Sequence, residues 1–481
     1  MTRRGILILL ALLLNLTIFS GQSAQYRGVA SSINSSHFIN VPFHYQNTDY
    51  YCGPACLEMI FDYYGEDINQ TEIAEAARTI GPPEYSTYKD ELRRAAHFSN
   101  ASTSNGNEMY ENITGYSLRS LGYAAFEAEG VDLTQLKDYV DMDKPLILLM
   151  WYSGYHYYGH FRVVTGYNET HVFLHDPWNK PLWNGTYGGP NIAFNYTTFL
   201  DLWSYSGFWA LYVSPWKIDA SMPRYIKPDA PFQVNFTITY PEPLPTSSSL
   251  YPASLCNATI IIPQNLSLTQ DENQTKSLGT DVFEAGTNRT VSWTLAANHS
   301  GNYTIKLEAE GLISGSVGIW VFPAYDYIDR IGVVTNITLE LKEDTIPPAI
   351  SLPSRIPSNE VQPLQEVNVF VNVTDAESEV KNATLYYNLN NGTTWTMVQM
   401  SYNSTSKRCN ATIPGQPPRT YVRFKIIAYD NVGNNATRDG TEPYFIYITV
   451  PEYPSFVTLL ILVILPVITA LFLKKKNIWT E

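Results

Sequence analysis

The chain has 481 residues, 44% of them apolar and 14% aromatic, with a formal net charge of −14 and only four cysteines. That apolar content supports packed cores and excludes a disordered chain, and the length predicts several domains. The acidic balance, with no Lys/Arg cluster outside the last residues, excludes a nucleic-acid or anionic-lipid partner, and four cysteines are too few for a disulfide scaffold.

The chain opens "MTRRGILILLALLLNLTIFSGQSAQ", with Arg3 and Arg4 ahead of an apolar run and then small polar residues. This is the layout of a secretory signal over residues 1–24, with an uncleaved signal anchor as the alternative because the cleavage site is ill defined. Next comes "VPFHYQNTDYYCGPACLEMIFDYYG". Leu57, Ile60, Phe61 and Tyr64 recur at helical spacing and Gly65 suits a helix end, so a helix is expected over Gly53–Tyr64 with Pro54 in its first turn. Cys52 then sits at the positive end of the helix dipole, where a thiolate is stabilised. Cys56, one turn on, points to the core.

A thiolate nucleophile needs a base, usually His, and a group that orients it. Strands are expected in "LILLMWY", "FRVVTGY" and "HVFLHD", the last two joined as a hairpin. A turn centred between Asn168 and Glu169 sets His160 opposite Pro177, beside Asp176, near enough for a carboxylate to hold an imidazole. His156 and His175 are rival bases, and Asn179 is the rival orienter. Gln46, on the loop before Cys52, is the candidate side-chain donor to an oxyanion, with the Cys52 backbone N–H as a second. Three other readings of Cys52 stay open: a buried structural thiol, a bridge to Cys56, and a zinc site of Cys52, Cys56 and His160. Side chains four apart on a helix rarely meet disulfide geometry, and no CxxC or HxxxH spacing supports zinc.

Gln46, Cys52-Gly53-Pro54, Gly159-His160 and Asp176-Pro177, in that order, resemble the C39-like peptidase domain, which has a papain-like fold. The resemblance covers roughly residues 38–215. It implies an α+β catalytic domain in which Cys52 is the nucleophile, His160 the base, Asp176 the orienting carboxylate and Gln46 the oxyanion donor. The best-known members are fused to an exporter and cut double-glycine leaders, and no transporter follows here, so the resemblance carries a mechanism further than a substrate. Trp151, Tyr155, Tyr157, Tyr158, Trp178 and Trp183 crowd the same region.

From Trp216 onward the helical pattern gives way to short alternating strands, one set over 216–345 and one over 346–450, with the Pro-rich "DTIPPAISLP" between them. Each set reads as a β-sandwich, resembling immunoglobulin-like or fibronectin-III-like units. Cys256 and Cys409 fall in different sets, as single buried thiols or a long-range bridge. Asp375, Glu377, Asp430 and Asn431 stand near strand ends where they could supply calcium oxygens. Acidic turn residues are far commoner without a metal, so no cofactor is expected.

The run from Phe456 to Leu473, long enough to cross roughly 27 Å and followed by Lys474–Lys476, reads as a transmembrane helix with a cytoplasmic tail over 474–481. About twenty Asn-x-Ser/Thr matches, Asn69, Asn112, Asn184, Asn257, Asn336, Asn382 and Asn435 among them, are glycan acceptors in an exported chain. The fold class expected is therefore multidomain: an α+β papain-like cysteine peptidase domain, two all-β sandwiches and a C-terminal transmembrane helix. The function expected is a cell-surface, single-pass cysteine peptidase with an extracellular ectodomain, a peptide or protein substrate and surface glycans. The alternative is an adhesin that binds through the same cleft and sandwiches without turnover.

Overall fold

The described strands form five sheets. The computed structural model describes residues 36–102, 116–178, 188–318, 324–440, 445–451 and 456–476, with side chains in the last segment described for 460–471. The expected signal (1–24), Asn112, Asn179, Trp183, Asn184 and residues 477–481 lie outside them.

The first unit is a seven-stranded sheet. Its strands are β1 (His37–Phe38), β2 (Ala124–Ala128), β3 (Leu146–Trp151), β4 (Gly159–Tyr167), β5 (His171–Asp176), β6 (Gly189–Asn195) and β7 (Ala210–Ser214). They run antiparallel in the order β2-β7-β3-β4-β5-β6, with β1 on β4. Central β3 and β4 are almost wholly buried, which is why they read as continuous apolar runs rather than as alternation. Five helices are described in this unit: α1 (Cys52–Tyr63), α2 (Gln70–Ala76), α3 (Lys89–His97), α4 (Leu133–Asp141) and α5 (Tyr196–Trp203).

Helix α1 buries Leu57, Ile60 and Phe61 and packs on β4. It ends in a Schellman motif: the Gly65 N–H donates to the Asp62 carbonyl (3.0 Å), the Glu66 N–H to Phe61 (2.9 Å), and Gly65 takes φ +89°. Asn69 caps α2 by accepting from the Thr71 and Glu72 N–H groups, and Asp132 and Gln135 close a capping box on α4.

Two sheets follow over Lys217–Glu343. One has four strands centred on Pro231–Thr239 and Asn288–Ala297; the other has five, dominated by a hairpin of Gly301–Val317 and Tyr325–Glu343. This hairpin reaches back onto α3. Arg94 is held by Asp329 (Nη2 to Oδ1 3.2 Å), His97 Nδ1 meets the Tyr327 hydroxyl (2.9 Å) and Tyr325 donates to Glu91 (3.0 Å). Gly122 and Ile331 form a parallel bridge, and one continuous set of buried apolar residues extends from Ile39 to Leu341. The first unit and the first pair of sheets thus share a core. The last two sheets, five strands each, enclose a separate core running from Val361 to Tyr447.

The expected fold class needs correction. Strands make up 45% of the structure and helices are few. The C-terminal run does form a helix, α6 (Phe456–Lys476), with Pro466 inside it. Yet among the described residues no helix is long and apolar enough to cross a membrane. The expected transmembrane helix is not supported, and the single-pass cell-surface placement that rested on it falls with it. Cys52, Cys56, Cys256 and Cys409 are all free thiols, so neither expected alternative bridge forms.

Candidate active site

Cys52 is the first residue of α1, and no side chain caps the helix there, which leaves its first N–H groups open to an anion. Gly53 allows the helix to start against the sheet. A Cβ on it would lie 3.1 Å from Thr87 Cβ and Cγ2 and 3.3 Å from the Phe161 ring, so a side chain would push α1 away from β4. Close approach matters because β4 carries His160.

His160 Nε2 donates to Asp176 Oδ1 (2.7 Å), which leaves Nδ1 for Cys52, and a side-chain hydrogen bond joins the thiol to the imidazole. His160 and Asp176 are both buried, at 4% and 0% exposure, whereas Cys52 is partly exposed and open to attack a ligand. The hairpin achieves this with a register other than the one expected. Tyr167 pairs with Val172, placing the turn at Glu169-Thr170, and a bulge at Thr165 shifts the ladder so that Val163 meets His175. Asp176 therefore faces Arg162 across the strands and reaches His160 diagonally.

Arg162 is a site residue that sequence reasoning missed. It is fully buried, donates from Nε to Asp176 Oδ2 (2.7 Å), and gives Nη1 to the Trp151 carbonyl (3.0 Å) and Nη2 to that of Tyr152 (2.7 Å). The available signal was a lone cation inside an apolar strand, two residues from His160 and so on the same face. The Trp178 N–H adds a bond to Asp176 Oδ1 (2.9 Å), and the Tyr152 ring stands edge-on to the imidazole at 5.2 Å.

Arg162, Asp176, His160 and Cys52 form a row, buried except at its Cys52 end, in which the charges alternate as plus, minus, plus, minus when the thiol is ionised. Burial alone would raise the Asp176 carboxyl, but Arg162 and His160 hold it well below the usual carboxylate range. Burial works against imidazolium at His160, and Asp176 outweighs it, so the pKa rises. At Cys52 burial opposes the thiolate, yet the His160 hydrogen bond and charge, with the Phe161 and Gly53 N–H groups, bring the pKa below that of an ordinary thiol. Cys56 has no such partners, and burial pushes its thiol well up.

The rival histidines do other things. His156 stacks on Trp151 (5.0 Å) and pairs with exposed Asp201 (3.0 Å); His175 is bound between the Val41 carbonyl and the Asn191 N–H. Gln46 is buried, its backbone N–H bound to the Pro177 carbonyl (2.8 Å) and its amide donating to the Thr48 carbonyl (2.7 Å). It is thereby tied to the loop that follows Asp176. Among the described residues Cys52, Cys56 and His160 form no metal-ligand group.

No curated protein matches the chain. Among solved structures it is similar to a purple acid phosphatase, PPD1, from yellow lupin (Lupinus luteus) seeds, at 10% identity and a TM-score of 0.17. That match covers 49% of this chain and 41% of the phosphatase. It is also similar to the FN1-FN3 domains of chicken CNTN1, at 10% identity and a TM-score of 0.23, covering 58% of this chain and 95% of that one. Likenesses of this size assign no fold. Residues 38–208, which hold the whole row from Gln46 to Asp176, match the family model described as the Peptidase_C39 like family.

Proposed function

We propose that the unit spanning residues 38–208 is a cysteine peptidase. The observation that carries this reading is the alternating row Arg162–Asp176–His160–Cys52 at the start of α1. The Cys52 thiolate attacks the carbonyl carbon of a peptide bond, and the oxyanion is met by the N–H groups at the head of α1 and by Gln46 once its amide turns from Thr48. His160 gives its Nδ1 proton to the departing amine as the C–N bond breaks, leaving a thioester on Cys52. Water then attacks the thioester carbonyl while His160 takes its proton, the C–S bond breaks, and the carboxylic acid leaves. Tyr155, Tyr157 and Tyr158, each more than half exposed on the loop between β3 and β4, offer apolar contact area for an extended peptide.

The test is labelling of the full chain with a thiol-directed peptidase inhibitor. Cys52 should label rapidly near neutral pH and Cys56 should not, and His160→Ala should slow the reaction by roughly 10²-fold or more. Slow labelling of Cys52 that ignores His160 would sink the proposal and leave a binding protein.

A further inference from the structure

We infer that the joint between the first and second pairs of sandwich sheets is a calcium site. Asp344 follows the strand Tyr325–Glu343 as the chain leaves the first pair, Asp375 follows Val367–Thr374, and Asp430 closes Tyr421–Asp430. One carboxylate oxygen from each lies within 4.8 Å of the others. Oxygens bound to one calcium at 2.3–2.6 Å stand at most about 5 Å apart, so a single ion can reach all three.

The hydrogen bonds show which oxygens await a ligand. Asp430 is fully buried; its Oδ1 accepts from the Val432 (3.0 Å) and Asn434 (2.8 Å) N–H groups, while its buried Oδ2 has no hydrogen-bond partner among the described residues. Asp375 repeats the pattern: Oδ1 accepts from Glu377 and Glu379 N–H (3.0 Å each) and Oδ2 is buried without a partner. Asp344, also fully buried, accepts from Ile346 N–H (2.9 Å) and Ser378 N–H (3.1 Å). The Ser378 hydroxyl is a further buried oxygen without a partner. No Lys or Arg among the described residues forms an ion pair with any of the three aspartates. Buried like charges without a cation repel strongly. A set made only of carboxylate oxygens suits a hard cation, and irregular spacing over three loops suits calcium over magnesium. The ion would fasten the linker residue Asp344 to two strand ends of the following sandwich.

The experiment is calorimetric melting of the full chain in calcium chloride, in magnesium chloride of equal ionic strength and in EDTA, alongside Asp430→Asn. At calcium about 100-fold above its Kd, the melting of the second sandwich should rise by roughly 10 °C over the EDTA value. Asp430→Asn should fold as well as wild type in EDTA and lose the calcium response; should it fail to fold, Asp375→Asn, on a half-buried residue, takes its place. No calcium shift in the wild type, an equal shift with magnesium, or a shift that survives both substitutions would overturn the inference.

Discussion

Replacing Arg162 with methionine is expected to destabilise the shared core by roughly 3–5 kcal/mol, the usual cost of removing one partner from a buried ion pair. Methionine fills comparable space, so the loss reads charge and hydrogen bonding rather than a cavity. Asp176 would keep a buried negative charge facing His160 alone, and the Trp151 and Tyr152 carbonyls would lose the donors they now have at 3.0 and 2.7 Å. Melting of the unit should fall by roughly 10 °C. The double variant Arg162→Met/Asp176→Asn should recover part of that loss, because removing both charges leaves none unpaired. A single variant that melts within a degree or two of wild type would refute the account of the row.

Asp176→Asn should produce the largest loss of chemistry. It removes the one anion between two cations, so Arg162 then opposes an imidazolium at His160 and the thiolate loses its counter-ion. The rate of Cys52 alkylation near pH 7 is expected to drop by roughly 10²–10³, with a fall of up to about 10⁴ in any turnover. The pH dependence gives the sign. In the wild type the Cys52 pKa is lowered, so reactivity persists below the ordinary thiol value near 8.5 and disappears as pH falls through the lowered pKa and the thiolate is protonated. Because the His160 pKa is raised, the imidazolium persists above about 6.5, and turnover falls on the alkaline side as it deprotonates. In Asp176→Asn the alkylation midpoint should move up toward 8.5. An unmoved midpoint would mean that Asp176 does no more than hold the strands.

Helix α1 was legible because four apolar residues at one spacing and a terminal glycine say the same thing twice. Cys52, His160 and Asp176 were legible as chemistry, and the structure brings them together, but their register was not. The turn lies one residue later than Asn168-Glu169, and the bulge at Thr165 has no side-chain signature. Arg162 was passed over because strand propensity reads it as an intruder rather than as the partner of a carboxylate ten or more residues away. Nothing in the sequence marked Tyr325–Glu343 as the strand that covers α3, so the inward Asp329 gave no hint of Arg94. Asp375 and Asp430 could be named as calcium oxygens and Asp344 could not, since a linker acid looks like any other.

The hairpin that seals α3 comes very late in the chain. Glu91, Arg94 and His97 find their partners 234, 235 and 230 residues downstream. At the roughly 5–20 residues per second of synthesis, these side chains wait on the order of 10–50 s before Tyr325, Tyr327 and Asp329 exist. Through that interval buried-to-be charges stay solvated and the helix they sit on cannot dock fully. Completion of the α3 docking is thus timed by the hairpin that follows it, and chains arrested near residue 300 should remain sensitive to proteases across residues 89–97.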